Sequence, residues 1–228
     1  MLDVEIKEGD MDIMELIKSR HSVREYLDKP IEEDKKKILD EYTAELNSKY
    51  GTNAVIVFDD ENGFKNAGKG YGNFCNCKNY IVLIGKDAET CGYVGELIVL
   101  KAQSLGLNTC FVALTYKKSA VKKAMTLQKG EKIQCSVALG YGKTQGHERK
   151  SKAKDEVLTV LSGEAPANID EIVEACLLAP TAVNQQKFAI EVKDGQVDIK
   201  RSGFGFYADF DLGIVKAHKD LIIGEINL

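Results

Sequence analysis

The sequence has few histidines, no excess of positive charge and no long apolar run. Three histidines and no Cys-x-x-Cys motif leave too few ligands at suitable spacing to indicate a metal site. A net charge of −4 argues against nucleic acid or an anionic membrane as a partner. No run is long enough to cross a bilayer, and the acidic N-terminal stretch lacks the apolar core of a signal peptide. A cytoplasmic protein with no membrane partner is therefore expected.

Several common catalytic and phosphate-binding motifs are also missing. The chain has no Walker-type Gly-Lys-Ser/Thr and no Gly-x-Ser-x-Gly elbow of a hydrolase. The segment "GKGYGNF" (68–74) has glycines at alternate positions, but it lacks the last glycine of the dinucleotide fingerprint and leads into a strand. These observations exclude three frequent solutions for nucleotide binding and hydrolysis.

Six cysteines are scattered along the chain, and without an export signal they are most simply reduced thiols. Cys75 and Cys77, in "FCNCKN", could form half of a metal site. No second pair of ligands follows at metal spacing, so buried small apolar residues are the favoured interpretation.

The hydrophobic pattern predicts helices alternating with short strands. Helices are expected near 13–20, 31–46, 93–106, 169–180 and 212–224. Strands are expected near 53–58, 80–85, 108–114, 132–140, 188–195 and 196–201, the last two joined as a hairpin. The length supports one large domain or two small ones.

A polar segment near 161–168 divides the chain into a first half, 1–162, and a shorter second half, 163–228. Each half has a helix, a strand, a glycine-rich segment and a further helix. This order favours a degenerate duplication over chance similarity, within one compact unit.

Two segments carry unusual polar groups. In "KSRHSVREY", Arg20, His21 and Arg24 surround Ser22, a set that suits a phosphate dianion because arginine offers paired donors in a rigid fork. A solvated basic patch is the alternative. The second segment, "LLAPTAVNQQKF" (177–188), presents neutral amides and backbone donors at a helix end.

Together these segments resemble the FMN-dependent nitroreductase family. "SRHSVREY" resembles its phosphate-binding motif, "APTAVNQQKF" its Ala-Pro-Ser-Ala-x-Asn-x-Gln motif, "SLGLNTCFVAL" its Leu-Gly-Leu-Gly-Thr-Cys-Trp strand, and "VALGYGKTQGHERKSKAKDEV" its closing segment. In ordinary members the Ala-Pro-Ser-Ala motif follows soon after the Arg-x-Ser motif, whereas here it comes last. The resemblance is therefore to a single-chain branch whose two halves mimic the family's homodimer.

The resemblance implies an α+β fold, with a mostly antiparallel sheet flanked by helices and two pseudo-symmetric halves. It also implies one FMN site per chain, in which different segments hold the phosphate and the ring. For the phosphate and ribityl chain it implies Arg20, His21, Ser22 and Arg24, with help from Lys150 and Lys152. For the ring it implies Pro180, Thr181, Ala182 and Asn184 on one side, with backbone groups of Ala113 and Leu114 near the pyrimidine edge and N5.

The activity implied is hydride transfer from NADH or NADPH through FMN to a small-molecule electron acceptor such as a nitroaromatic or a quinone. The cofactor carries the chemistry, so no catalytic side chain is expected. Three departures affect the pocket over the ring: Phe111 replaces Trp, "ALT" replaces a Gly-Gly or Glu-Gly pair, and "QQK" replaces Gln-Pro-Trp. The alternative is a protein that stores or senses FMN without turnover. Internal pseudo-symmetry is compatible with a monomer.

Overall fold

The computed structural model describes residues 12–65, 73–123 and 125–228. Most of the predicted glycine-rich segment, 67–72, and the acidic N-terminal stretch lie outside these residues. Among the described residues the helices are α1 (Ile13–Ser19), α2 (Glu33–Tyr50), α3 (Ala88–Ser104), α4 (Lys118–Lys123), α5 (Ile169–Leu178) and α6 (Ala208–Ile222). The strands are β1 (Val55–Val57), β2 (Asn79–Gly85), β3 (Asn108–Val112), β4 (Lys132–Gly140), β5 (Leu158–Ser162), β6 (Phe188–Lys193) and β7 (Gln196–Arg201).

The strands form two sheets. The first has the order β1-β2-β4-β3 and is antiparallel throughout. The second has the order β5-β6-β7, in which β6 and β7 form the predicted antiparallel hairpin and β5 runs parallel to β6. The predicted α+β class with a mostly antiparallel sheet flanked by helices is confirmed. β5 precedes the predicted boundary at residue 162, yet it pairs with a strand of the second half.

The first sheet is buried on both faces, which explains the continuous apolar run "YIVLIG". Along β2, Ile81 and Leu83 contribute to the main core, which also contains α3, α5 and α6. Tyr80, Val82 and Ile84 point the opposite way into a second, smaller core. Because neighbouring strand residues face opposite sides, a strand covered on both sides needs apolar residues at every position.

Helices α3 and α6 cross at very short range. A Cβ at Gly92 would overlap the carbonyl oxygen of Phe210, and a Cβ at Gly213 would overlap that of Glu89. Only glycine therefore permits this approach of one backbone to another. α3 begins earlier than the pattern predicts because Asp87 caps it: its Oδ2 accepts from the N–H of Thr90 at 2.7 Å.

No helix within the described ranges is both long enough and apolar enough to cross a membrane.

Candidate functional site

The arginine-rich bend begins where α1 ends. Arg20 is the C-cap residue of α1 and has extended backbone angles. The chain then runs beside β3: Ser22 forms a bridge with Thr109, and the N–H of Val23 donates to the carbonyl of Thr109 at 3.0 Å. Val23 is buried in the second core, whereas His21 and Ser22 are half-buried. The bend is therefore fixed along a strand rather than loose on the surface.

The two arginines of this bend differ in accessibility. Arg20 is only 3% exposed, and its Nε lies 3.7 Å from Oε1 of Glu96. Arg24 is exposed. A ligand at this bend could therefore contact the guanidinium of Arg24 directly, whereas Arg20 contributes its positive charge from the interior.

A third arginine joins the bend from the loop 146–150. Burial lowers the pKa of Arg149, and the charge of Arg20 lowers it further, with a smaller contribution from Arg24. The pKa of His21 is also lowered, first by burial and then by the charge of Arg20. The charges of this region therefore act on one another, and Glu96 and Glu148 partly oppose the lowering of the pKa of Arg149 and His21, respectively. Basic groups that act on one another are costly unless an anion compensates them.

Arg149 was absent from the predicted set, although the basic run "HERKSK" contains it. The loop is held against the bend at Gly146, where a Cβ would lie 2.6 Å from the Cβ of His21. Gly146 also has a positive φ of 78°, which favours glycine. In the sequence, only the position of Gly146 directly before this basic run indicates a tight turn that could bring Arg149 to the bend.

The two predicted lysines, Lys150 at the end of this loop and Lys152 just after it, both contact the proline turn. The Nζ of Lys152 donates to the carbonyl of Gln186 at 2.7 Å, and its backbone N–H donates to Oε1 of Gln186 at 2.8 Å. Lys150 is exposed, and its carbonyl accepts from Nδ2 of Asn184 at 2.8 Å. The described contacts of both lysines therefore fix the turn.

The proline turn has a strained backbone. Pro180 and Thr181 are buried, and a short 3₁₀ helix, Ala182–Asn184, follows. Val183, Asn184 and Gln186 all have positive φ angles, of 46°, 55° and 45°. Non-glycine residues pay for this conformation, a β-branched valine most of all, so such turns persist only where the surroundings impose them.

Side chains impose the conformation of this turn. Oγ1 of Thr181 accepts from the N–H of Gln186 at 3.1 Å, and Nε2 of Gln186 donates to the carbonyl of Leu177 at 2.8 Å. From α6, both carboxylate oxygens of Asp211 lie 3.0 Å from the N–H of Ala182, and Oδ2 accepts from Nε2 of Gln185 at 2.7 Å. Burial raises the pKa of Asp211 to about 6, against the opposing effect of these hydrogen bonds. Asp211 is not among the predicted site residues, because it lies 29 residues from Ala182 and no local pattern links the two.

The end of β3 reaches the same helix. The ring of Phe111 packs edge-on against that of Phe210 in α6, with centroids 5.9 Å apart. Ala113 is half-buried against the main core, whereas the side chain of Leu114 is 65% exposed. The first turn of α6 thus contacts both the end of β3 and the proline turn.

Loop 146–150 therefore connects the arginine-rich bend to the proline turn. Arg149 approaches the arginine-rich bend, and the neighbouring Lys150 is bonded to Asn184 of the proline turn. No described contact joins Arg20 or Arg24 directly to Asn184. Loop 146–150 contacts the bend at Gly146 and the turn at Lys150, so it lies between the two segments.

One protein-family model matches nearly the full length of the chain. The family model described as "Putative TM nitroreductase" matches residues 12–223. The chain belongs to this nitroreductase family.

Solved structures agree with this membership at the level of the fold. A Thermotoga maritima protein with the same designation is 23% identical, with a TM-score of 0.68 over 99% of this chain and 89% of that one. A nitroreductase family protein of Streptococcus pneumoniae (15% identity, TM-score 0.52) aligns over 64% of this chain and 98% of its own. A Bacteroides thetaiotaomicron protein (21% identity, TM-score 0.52) aligns over 65% and 97%. No curated protein matches the chain.

Two cavities of this nitroreductase are lined by none of the predicted site residues. One, of about 420 Å³, is lined by Tyr50, Tyr93 and charged residues of α3 and α6, and the other, of about 190 Å³, by Tyr26 and its neighbours. Large apolar side chains near the proline turn are exposed, with Val183 at 85% and Phe206 at 82%.

Proposed function

We propose that this protein is an FMN-dependent NAD(P)H oxidoreductase that reduces a small planar acceptor, such as a nitroaromatic or a quinone. The observation that carries the proposal is that loop 146–150 packs against His21 of the arginine-rich bend at Gly146 and is hydrogen-bonded through Lys150 to Asn184 of the proline turn. A charged phosphate requires cations, whereas a neutral ring suits amides and apolar walls. The Bacteroides structure, whose designation names NADH dehydrogenase and NAD(P)H nitroreductase, supports a nicotinamide donor.

The arginine-rich bend and loop 146–150 suit the phosphate. Arg24 is exposed, and Arg149, although partly covered by its neighbours, still reaches solvent, so each can offer two parallel N–H donors. Arg20 adds charge from the interior. Because its pKa is lowered, His21 is neutral at pH 7 and can hydrogen-bond to a ribityl hydroxyl, as can Ser22. Anion binding would in turn relieve the mutual repulsion of the arginines.

The proline turn and the end of β3 suit the ring. Ala182 and Asn184 present neutral groups held in place by Asp211 and Lys150. The backbone of Ala113 and Leu114 follows directly after β3, which ends at Val112, and could offer its polar groups to the edge of a heterocycle. FMN, when bound, supplies hydride acceptance and donation at N5, so the protein needs only to orient donor and acceptor.

We further propose that one chain builds one complete site. The bend and loop 146–150 belong to residues 1–162, and the turn belongs to residues 163–228. Sedimentation of the FMN-loaded protein tests this arrangement. A monomer with one flavin per chain is expected, and a stoichiometry of one flavin per two chains would contradict it.

Absorbance of the purified protein is the primary test of the function. Flavin bands, or uptake of added FMN with an affinity well above that for riboflavin, are expected. Steady-state oxidation of NADH and NADPH with a soluble quinone then tests turnover. If no flavin is taken up, the proposal fails. If flavin binds but neither nucleotide is oxidised, the protein is instead an FMN carrier or sensor.

A further inference from the structure

Three ionisable side chains meet inside the main core, behind the arginine-rich bend. Glu96 of α3 and His218 of α6 are fully buried, and Arg20 is 3% exposed. Nε2 of His218 lies 2.8 Å from Oε1 of Glu96, and Nε of Arg20 lies 3.7 Å from the same oxygen. Buried charges are costly to keep, so this grouping requires an explanation.

The hydrogen bonds of His218 fix how many protons the pair holds. Nδ1 lies 2.7 Å from the carbonyl of Ala175 in α5, and a carbonyl oxygen can only accept, so Nδ1 carries a hydrogen. Nε2 faces a carboxyl oxygen, and this contact is favourable only with a proton between them. Whether that proton is bonded to Nε2 or to the carboxyl oxygen, Glu96 and His218 together carry no net charge.

The positive charge of Arg20 is consequently left unbalanced. Nε of Arg20 is too far from Glu96 for a hydrogen bond and has no other partner within the described part of the chain. If Glu96 were ionised beside a neutral His218, it would cancel this charge. The proton held by the pair prevents that.

We infer that His218 is a positioning residue that acts through Glu96 to keep the charge of Arg20 available for the phosphate of a bound ligand. The inference rests on the proposed function, because it assigns the anion to the phosphate of FMN. It links α6, in the second half of the chain, to a phosphate site built by the first half.

Variants that change the net charge of the Glu96–His218 pair test this inference. His218→Gln keeps a donor for Glu96 but cannot carry the positive charge, so Glu96 becomes ionised and balances Arg20. The ratio of the riboflavin to the FMN dissociation constant, which isolates the phosphate contribution, should fall about tenfold, or 1.4 kcal/mol. The double variant Glu96→Gln/His218→Gln removes both charges, so the ratio should return to within about threefold of the parent value.

The matched control is Lys216→Gln. Lys216 also lies on α6 and pairs with Glu89 of α3 at 2.5 Å, so the variant removes one positive charge and one contact between the same two helices. The ratio should not change in this control. If His218 were merely structural, all variants would lose stability while the ratio stayed constant, and the double variant would show no recovery. That result would overturn the inference.

A second measurement does not depend on the variants folding. Nuclear magnetic resonance of the histidine ring nitrogens and of the Glu96 carboxyl carbon in the parent protein reports the shared proton directly. A ring protonated only at Nδ1 beside an ionised carboxylate would overturn the inference. If the parent protein binds no FMN, or binds riboflavin equally well, the proposed function fails, and the proton count is still decided by this measurement.

Discussion

Asp211 should make the protein less stable as the pH rises, and replacing it by asparagine should remove this effect. Its pKa is about 6 in the folded protein, against 3.8 for an ordinary aspartate. Between these values the folded state binds a proton that the unfolded state has lost. The stabilising contribution is therefore complete below pH 3.8 and is lost as the pH rises through 6.

The magnitude follows from the same two values. At 1.36 kcal/mol per pH unit, the interval from 3.8 to about 6 corresponds to about 3 kcal/mol of unfolding free energy. Asp211 is 5% exposed, so solvent screens this cost little. Asparagine avoids the cost of ionisation but gives up one acceptor toward Gln185, which costs about 1 kcal/mol. Asp211→Asn should therefore be about 2 kcal/mol more stable than the parent at pH 8, with no such advantage at pH 4.

Urea unfolding between pH 4 and 8 measures this difference. Asp209→Asn serves as the control, because Asp209 is on the same helix but exposed, and its loss should change stability by less than about 1 kcal/mol throughout. Two results would contradict this prediction. A constant difference between Asp211→Asn and the parent at every pH would mean that folding leaves the pKa of Asp211 unchanged, and a deficit of the variant that grows with pH would mean that the ionised carboxylate stabilises the turn more than its burial costs.

Four other outcomes follow from the structure. Arg20→Ala should weaken FMN binding at least tenfold, about 1.4 kcal/mol, in a titration followed by fluorescence, and an unchanged affinity would place the phosphate elsewhere. Arg149→Ala should weaken FMN binding about tenfold, whereas Lys150→Ala, whose carbonyl makes the contact, should change it less than threefold. Val183→Gly should raise the unfolding free energy by about 0.5–1 kcal/mol, because glycine adopts a φ of 46° without strain, and a lower midpoint in urea would contradict this. Gly92→Ala should lower it by about 3 kcal/mol through overlap with a helix backbone, and an unchanged melting temperature would show that α3 and α6 can separate at no cost.

Local patterns predicted most of the secondary structure, because the apolar spacing of each element depends only on nearby residues. β2 was predicted correctly from its continuous apolar run, and the β6–β7 hairpin from two runs separated by a turn. The predicted start of α3, near residue 93 just after Gly92, is too late, because glycine weakens a helix in isolation and the helix in fact begins at Ala88. The structure supplies the missing reason: Gly92 is required by the crossing with α6, which is a tertiary contact.

The polar segments of the candidate site could be recognised from sequence, but not the residues that hold them. Arg20 and Asn184 belong to short local motifs. Asp211, Glu96 and His218 each act on a residue far away in the chain, and no local pattern records such a pairing. β5 was missed for a similar reason, since most of its side chains are exposed and its pairing with β6 is its main stabilisation.

The contact between Lys150 and Asn184 has a consequence for how the proposed site can change over generations. In a symmetric homodimer every substitution occurs in both subunits and therefore in two sites. In the proposed single-chain arrangement the arginine-rich bend and the proline turn each contribute to one site. A substitution in either segment therefore alters that site alone, and no second site has to tolerate the change.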